Sequence, residues 1–213
     1  MDKEISLAIK TFMRENCLFR LLDSINQFLP DLKIYIADDS EISNKREKYR
    51  ELEKRGHKII RLPFNVGLSA GRNALMKTIS EPFVLYCDDD FIFSSDNGVK
   101  ETLEIIKKRK DIGMICGLLT CDGIKTGFGN IMGKWENGII QVNKGLNFFI
   151  AQTKMFKDIK WNEKYKINKE HKDFFKRLKK TKWKVYYNPE LTAEHSIQKG
   201  SAEYEKYRKR EEQ

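Results

Sequence analysis

Several features are missing from this 213-residue chain, and each absence removes a class of protein. None of the four cysteines forms a Cys-x-x-Cys pair, and Cys116/Cys121 has no matching histidine pair, which excludes the common zinc sites. Cys17, Cys87, Cys116 and Cys121 read as reduced thiols of a cytoplasmic protein. Cys87 reads as a small core residue inside an apolar run. No apolar run approaches the roughly 18 residues of a membrane-spanning helix. The opening Met-Asp-Lys-Glu-Ile lacks the architecture of a secretory signal, so a soluble protein is expected. There is no internal repeat and no low-complexity linker, and the four prolines are scattered. The chain also has neither the Gly-Lys-Ser/Thr of a P-loop nor the dinucleotide-binding glycine fingerprint.

What is present is enough for one domain over 1–213. Hydrophobic residues make up 40% and aromatics 11%, so a real core can form and disorder is excluded. The net charge of +10 concentrates over 154–184, in Lys157, Lys160, Lys164, Lys166, Lys169, Lys172, Lys176, Arg177, Lys179, Lys180, Lys182 and Lys184. Such a surface suits anionic lipid, phosphorylated substrate or nucleic acid, and equally a solvated lysine-rich face.

The first half alternates strand and helix patterns. Strands are expected at 5–9, 33–37, 58–62 and 83–87, and helices over 18–28, 44–55 and 67–79 and from Val99 onward. That order predicts an α/β fold with a mostly parallel central sheet flanked by helices. Glycines crowd the stretch from Gly113 to Ile150, which reads as hairpins and loops. A helix over 169–180, a strand at 183–187 and a polar helix from Ser201 close the chain. A nucleotide-binding half, 1–110, is thus joined to a smaller mixed half, 111–213.

Candidate chemistry sits at the strand ends. Asp88-Asp89-Asp90 closes the apolar run Phe83–Cys87. Three adjacent carboxylates repel one another, and the usual remedy is a hard divalent cation, Mn2+ or Mg2+, often shared with a substrate phosphate. In open α/β sheets ligands bind at these carboxyl ends. Asp38-Asp39-Ser40 closes the second strand and suits base or ribose hydroxyls, or else a turn. Gly67-Leu68-Ser69-Ala70-Gly71-Arg72-Asn73 opens a helix with small residues. A helix N-terminus attracts anions, and Arg72 can grip a carboxylate or phosphate with two prongs. By spacing alone, this segment is a helix start with a structural glycine. Glu170 and Asp173 stand three apart at a helix start beside Phe174 and Phe175, a setting that suits a general base or simply complements the helix dipole. His195 follows the last strand, with Lys199 four residues on.

Together these elements resemble the nucleotide-sugar glycosyltransferases of the GT-A fold, in the large inverting family 2 group. Within that group they resemble the β-1,4-N-acetylgalactosaminyltransferases of the ganglioside-synthase type. The likeness rests on seven blocks in order: IKTFMRENCLFRLLDSI (9–25), IADDS (36–40), GLSAGRN (67–73), YCDDDFIF (86–93), NFFIAQT (147–153), EHKDFF (170–175) and EHSIQKGSAEYEKYR (194–208). It implies a UDP-sugar donor, a glycan or lipid-linked glycan acceptor, and Mn2+ or Mg2+. Residue by residue, it places Thr11, Arg14, Asp38, Asp39, Arg72, Asp88 and Asp89 in the nucleotide-sugar pocket. Lys199 and Arg208 would join them from the tail. Asp90, His195 and Asp88 would hold the metal. Asp173 would be the general base, with Glu170 as its rival. Residues from about 195 onward are expected to close as a lid over the donor.

The animal relatives carry a membrane anchor and a stem; neither is expected here, and a cytoplasmic microbial enzyme is the expectation. Peripheral contact of the 154–184 lysines with the inner face of an anionic membrane is a second option, and nucleic acid is not expected as a partner. A sugar nucleotidyltransferase is the rival enzyme class. It generally needs a glycine-rich loop just after strand one, whereas Lys10–Glu15 contains no glycine. A polyanion or membrane-surface binding module is the non-enzymatic rival, and it leaves both acidic clusters unexplained.

Overall fold

The computed structural model describes residues 4–41, 46–196 and 201–208. Strand β1 (Ile5–Thr11) is buried at every position, as an apolar run covered on both faces must be. Helix α1 (Glu15–Phe28) buries Leu18, Leu21, Leu22 and Ile25, one stripe at i, i+3, i+4 and i+7. Each such burial stabilises the fold by roughly 1.5–3 kcal/mol. The helix stops where Leu29 N–H caps onto Ile25 O (2.7 Å) and Pro30 denies another turn.

Strand β2 (Lys33–Asp38), helix α2 (Arg46–Lys54), strand β3 (Lys58–Arg61), helix α3 (Leu68–Thr78) and strand β4 (Phe83–Asp88) continue the expected alternation. Strand β1 pairs in parallel with β2 and β4, and β2 with β3. The carboxyl ends at Thr11, Asp38 and Asp88 therefore lie along one edge of the sheet.

Beyond β4 come β5 (Phe91–Ile92), α4 (Val99–Lys108), β6 (Ile112–Cys121), β7 (Ile124–Thr126), β8 (Ile131–Glu136) and β9 (Ile139–Val142). Then follow β10 (Phe149–Gln152), α5 (Met155–Asp158), α6 (Glu170–Leu178), β11 (Lys184–His195) and α7 (Ala202–Arg208). The strand order is β3-β2-β1-β4-β10-β6-β11-β9-β8, with β5 on β11 and β7 on β6. Strand β10 runs antiparallel to both β4 and β6, and β11 runs parallel to β6. The sheet is thus parallel through the first half and mixed beyond it. Where the glycines of 113–150 suggest hairpins and loops, β6 runs ten residues through the centre of the sheet.

The last strand also exceeds its expected end at Tyr187. Its ladder with β6 shifts register between Tyr187 and Thr192, around Pro189, which cannot donate a ladder bond. It then resumes, so His195 ends a strand paired to Phe91 rather than lying in a loop.

Helices cover both faces. Side chains of α1 and α4 pack on one core cluster, and those of α3, α5 and α6 on the other. Among the described residues no helix is long and apolar enough to cross a membrane. All four cysteines are free.

Candidate active site

The carboxyl edge of the parallel strands opens into a cavity of about 600 Å³. Thr11, Arg14, Asp39, Arg72, Asp88, Asp89, Asp90, Glu170 and His195 all line it, although they come from six separate stretches of sequence.

The three acids after β4 have different partners. Asp89 accepts from Thr11 Oγ1 (2.8 Å) and pairs with Arg14 Nη1 (3.1 Å). Burial pushes its carboxyl up to about 7; the Arg14 charge opposes this and Asp90 adds to it. Asp90 Oδ2 accepts from Arg14 Nη2 (2.9 Å) and lies 3.1 Å from His195 Nε2. Burial would raise Asp90, but the bond from His195 and the charge of Arg14 outweigh it and hold this carboxyl below its ordinary value. The same bond raises His195. Asp88 is the open member, its side chain 32% exposed and 3.7 Å from Arg72 Nη2.

Asp38 and Asp39 separate. Asp38 does not line the cavity, because its oxygens are consumed in the frame: Ser40 N–H (2.9 Å), Tyr49 Oη (3.0 Å) and Arg61 Nη1 (2.5 Å) all donate to it. Asp39 faces the cavity, pairs with buried Lys10 and accepts from Gly67 N–H (3.0 Å). Gly67 has φ +93 and lies against the Lys166 backbone, so only glycine fits there.

Arg72 is buried at the centre, 1% exposed. It donates from Nε to Tyr86 Oη (2.9 Å) and reaches Glu170 Oε1 (3.4 Å) from Nη1, linking the β4 acids to helix α6. Glu170 is seated by two consecutive left-handed residues, Asn168 (φ +63) and Lys169 (φ +58), which also line the cavity. Left-handed non-glycine residues carry strain, which accumulates at functional sites.

Asp173 does not line the cavity; its carboxylate accepts from Arg177 Nε (2.7 Å) on the next turn. Glu170 and Phe174, four apart, share the buried face of α6, and Asp173 falls beside it. Lys199 lies outside the described residues, as does the side chain of Arg208.

Three further residues of the cavity escape sequence reasoning. Lys10 is a lone charge in an apolar strand, a legible oddity, and Gly71 leaves the space its stem occupies. His171 stands 2.9 Å from Asn147 Oδ1 through Nδ1 and 2.8 Å from Gly145 O through Nε2, and burial lowers its pKa to about 4. Asn147 also lines the cavity, but carries no signal by itself. On α7, Tyr204 lies under the Arg14 guanidinium (5.5 Å), and Tyr207 packs on Phe12 and Phe64.

Among the described residues no group of three His, Cys, Asp or Glu side chains is arranged to hold a metal ion, so Asp88, Asp90 and His195 do not form a ready-made ligand set. Their chemistry nevertheless suits a hard cation. Asp90 Oδ1 is buried with no hydrogen-bond partner, Asp88 is open to the cavity, and His195 adds an imidazole.

The family model described as "Glycosyl transferase family 2" matches residues 6–187. The chain is similar to the mouse Beta-1,4 N-acetylgalactosaminyltransferase 2, 32% identical over 108 residues, covering 49% of this chain and 19% of that protein. To the rat Beta-1,4 N-acetylgalactosaminyltransferase 1 it is 26% identical over 195 residues, covering 80% of this chain and 35% of that protein. It therefore spans only a minor part of these curated relatives.

Among solved structures, it superposes on GalNAc-T7 with UDP, GalNAc and Mn2+ at a TM-score of 0.76 with 15% identity, covering 92% of this chain and 44% of that one. On S. aureus TarS 1-349 in complex with UDP the TM-score is 0.65 with 17% identity, covering 87% of this chain and 60% of that one. The fold is the GT-A fold of these glycosyltransferases.

Proposed function

Because this chain belongs to glycosyl transferase family 2, we propose that it moves a sugar from a UDP-sugar to a hydroxyl of a glycan acceptor with inversion, aided by Mn2+ or Mg2+. N-acetylgalactosamine or a related hexose is the sugar we favour, from the similarity to the N-acetylgalactosaminyltransferases. One observation carries the reading. A single cavity holds an Asp triplet at a strand's carboxyl end and a buried glutamate, with one arginine reaching both.

In this reading Asp39, braced by Lys10 and Gly67 N–H, receives the uracil, with Thr11 and Arg14 beside it. Asp88 takes the ribose. Asp90, His195 and Asp88 would hold the metal. When bound, the cation offsets the negative charge that develops on the departing diphosphate. Arg72 fixes the Glu170 carboxylate across from the acids, and α7 covers the donor through Tyr204.

Inverting transfer needs a base that removes the acceptor hydroxyl proton as that oxygen attacks the anomeric carbon. Glu170 lines the cavity, which supports it in this role; Asp173 does not line it and is engaged by Arg177. The lysines of 154–184 are exposed and remain available to an anionic membrane bearing a lipid-linked acceptor.

The test compares Glu170→Gln with Asp173→Asn, each assayed for transfer and for UDP affinity in Mn2+. The glutamine variant should lose about a thousandfold in turnover, within the usual range for a general base, while keeping UDP affinity. The asparagine variant should stay near wild type. Undiminished turnover in Glu170→Gln would refute the assignment.

A further inference from the structure

The exposed large apolar side chains among the described residues are Phe64, Ile124, Phe128, Ile131, Met132 and Trp135, so all but one fall between 124 and 135. Three of them form one surface. Strand β8 pairs with β9 so that Ile131 stands opposite Val142 and Trp135 opposite Ile140. Both partners belong to the core cluster beneath α6. Residues paired across a ladder share a face, so Ile131 and Trp135 continue that face past its covered part. Phe128 joins through Tyr187, with ring centroids 4.3 Å apart, and Trp135 lies 6.5 Å from the same ring. Gly127 permits this approach, since a Cβ there would meet the Tyr187 ring at 2.7 Å.

This platform is fastened to the rim of the cavity. Gly129 N–H donates to Lys144 O (2.9 Å), Asn130 N–H to Asn143 Oδ1 (2.9 Å), and Asn143 N–H to Asn130 O (3.0 Å). Lys144 lines the cavity, as do Glu170 and His171 of α6, the helix covering the same sheet face.

We propose that Phe128, Ile131 and Trp135, backed by Tyr187, form the acceptor subsite and bind the apolar face of a pyranose ring. This rests on the glycan-transfer reading above. A pyranose presents polarised C–H groups on one face and hydroxyls around its rim. The negative face of an aromatic ring attracts the former, and Asn130, Asn143 and Lys144 stand beside the platform to meet the latter. A large rigid ring gives contact area at little entropic cost.

A bilayer fits this surface less well. Residues 121–136 carry Asp122 and Glu136 against Lys125 and Lys134, so they offer no net cationic pull. A second copy pairing along β8 fits less well too, since the register shift between Ile131 and Trp135 breaks that edge.

The experiment titrates full-length protein with lactose, cellobiose and chitobiose while tryptophan emission is followed. Trp161 and Trp183 are buried, so the exposed Trp135 dominates any change. Wild type should respond to at least one disaccharide at millimolar concentration, and Trp135→Phe should lose that signal. In transfer to the responding disaccharide, Phe128→Ala and Trp135→Ala should each raise the acceptor KM about tenfold. UDP affinity and acceptor-free hydrolysis of the UDP-sugar should not change, and Trp135→Phe should recover most of the KM.

No emission change with any of the three sugars overturns the proposal. So does loss of binding to phosphatidylglycerol vesicles, or of dimerisation, in Trp135→Ala with disaccharide binding intact. Failure of wild type to bind UDP or hydrolyse UDP-sugars would instead strike the transferase reading, and leave disaccharide binding at the platform standing on its own.

Discussion

Lowering the pH should weaken this fold through one histidine. His171 has the ordinary histidine value of about 6.5 when unfolded and is lowered to about 4 in the folded chain, chiefly by burial, with the Lys144 charge adding to the effect. Between those values the unfolded chain binds a proton that the folded chain refuses. Stability therefore falls as pH drops from about 6.5 to about 4 and levels off below. A shift of that size corresponds to about 3–4 kcal/mol at roughly 1.4 kcal/mol per unit, a large share of the roughly 5–15 kcal/mol typical of domains.

The hydrogen bonds give this a local meaning. A neutral imidazole has one N–H, and Gly145 O can only accept, so Nε2 carries the proton. Nδ1 is then satisfied only if the Asn147 amide turns its NH2 towards it. Acid would add the second proton at Nδ1 and reverse that preference, and burial beside the Lys144 charge is what opposes it. Urea unfolding of wild type and His171→Gln at half-unit steps from pH 4 to 8 reads this directly. The two stability curves should converge towards pH 4 and separate above pH 6.5. Parallel curves over the whole range would refute the reasoning.

The physical reasons for what was and was not legible differ by residue. Asp88–Asp90 could be read because an apolar run ending in three charges has few structural excuses. The parallel half followed from strand-helix alternation. Strand β6 hid behind its glycines, which normally mark turns. Gly113 and Gly117 instead admit close neighbours, since a Cβ would strike Met155 and Trp183 in the first case and Phe148 and Leu191 O in the second. Pro189 likewise signals a strand end, yet sits at an irregularity that β11 passes through to deliver His195. Which of Glu170 and Asp173 lines the cavity was invisible for a different reason. Positions three apart on a helix lie near the same face, and only the anchoring of Phe174 and Phe175 in the core decides which carboxylate turns inward.

Two further outcomes follow from the acids. His195→Ala should leave the far-UV circular dichroism unchanged while lowering UDP affinity about tenfold or more in Mn2+, the loss expected when a metal site forfeits a ligand or its support. Equal affinity for wild type and variant in Mn2+ would remove His195 from the site. The last concerns Lys10, whose side chain is 2% exposed and whose partner Asp39 is 1% exposed. Lys10→Met strands a buried carboxylate, which should cost about 3–5 kcal/mol in urea unfolding. Lys10→Met with Asp39→Asn should recover much of that loss, because the stranded charge and not the missing methylene packing is responsible, and the double-mutant cycle isolates the coupling. If Lys10→Met alone stays within about 1 kcal/mol of wild type, the ordinary range for mutations lacking a named mechanism, then the pair does not hold Asp39 in place and the proposed uracil pocket must be organised by Gly67 N–H instead.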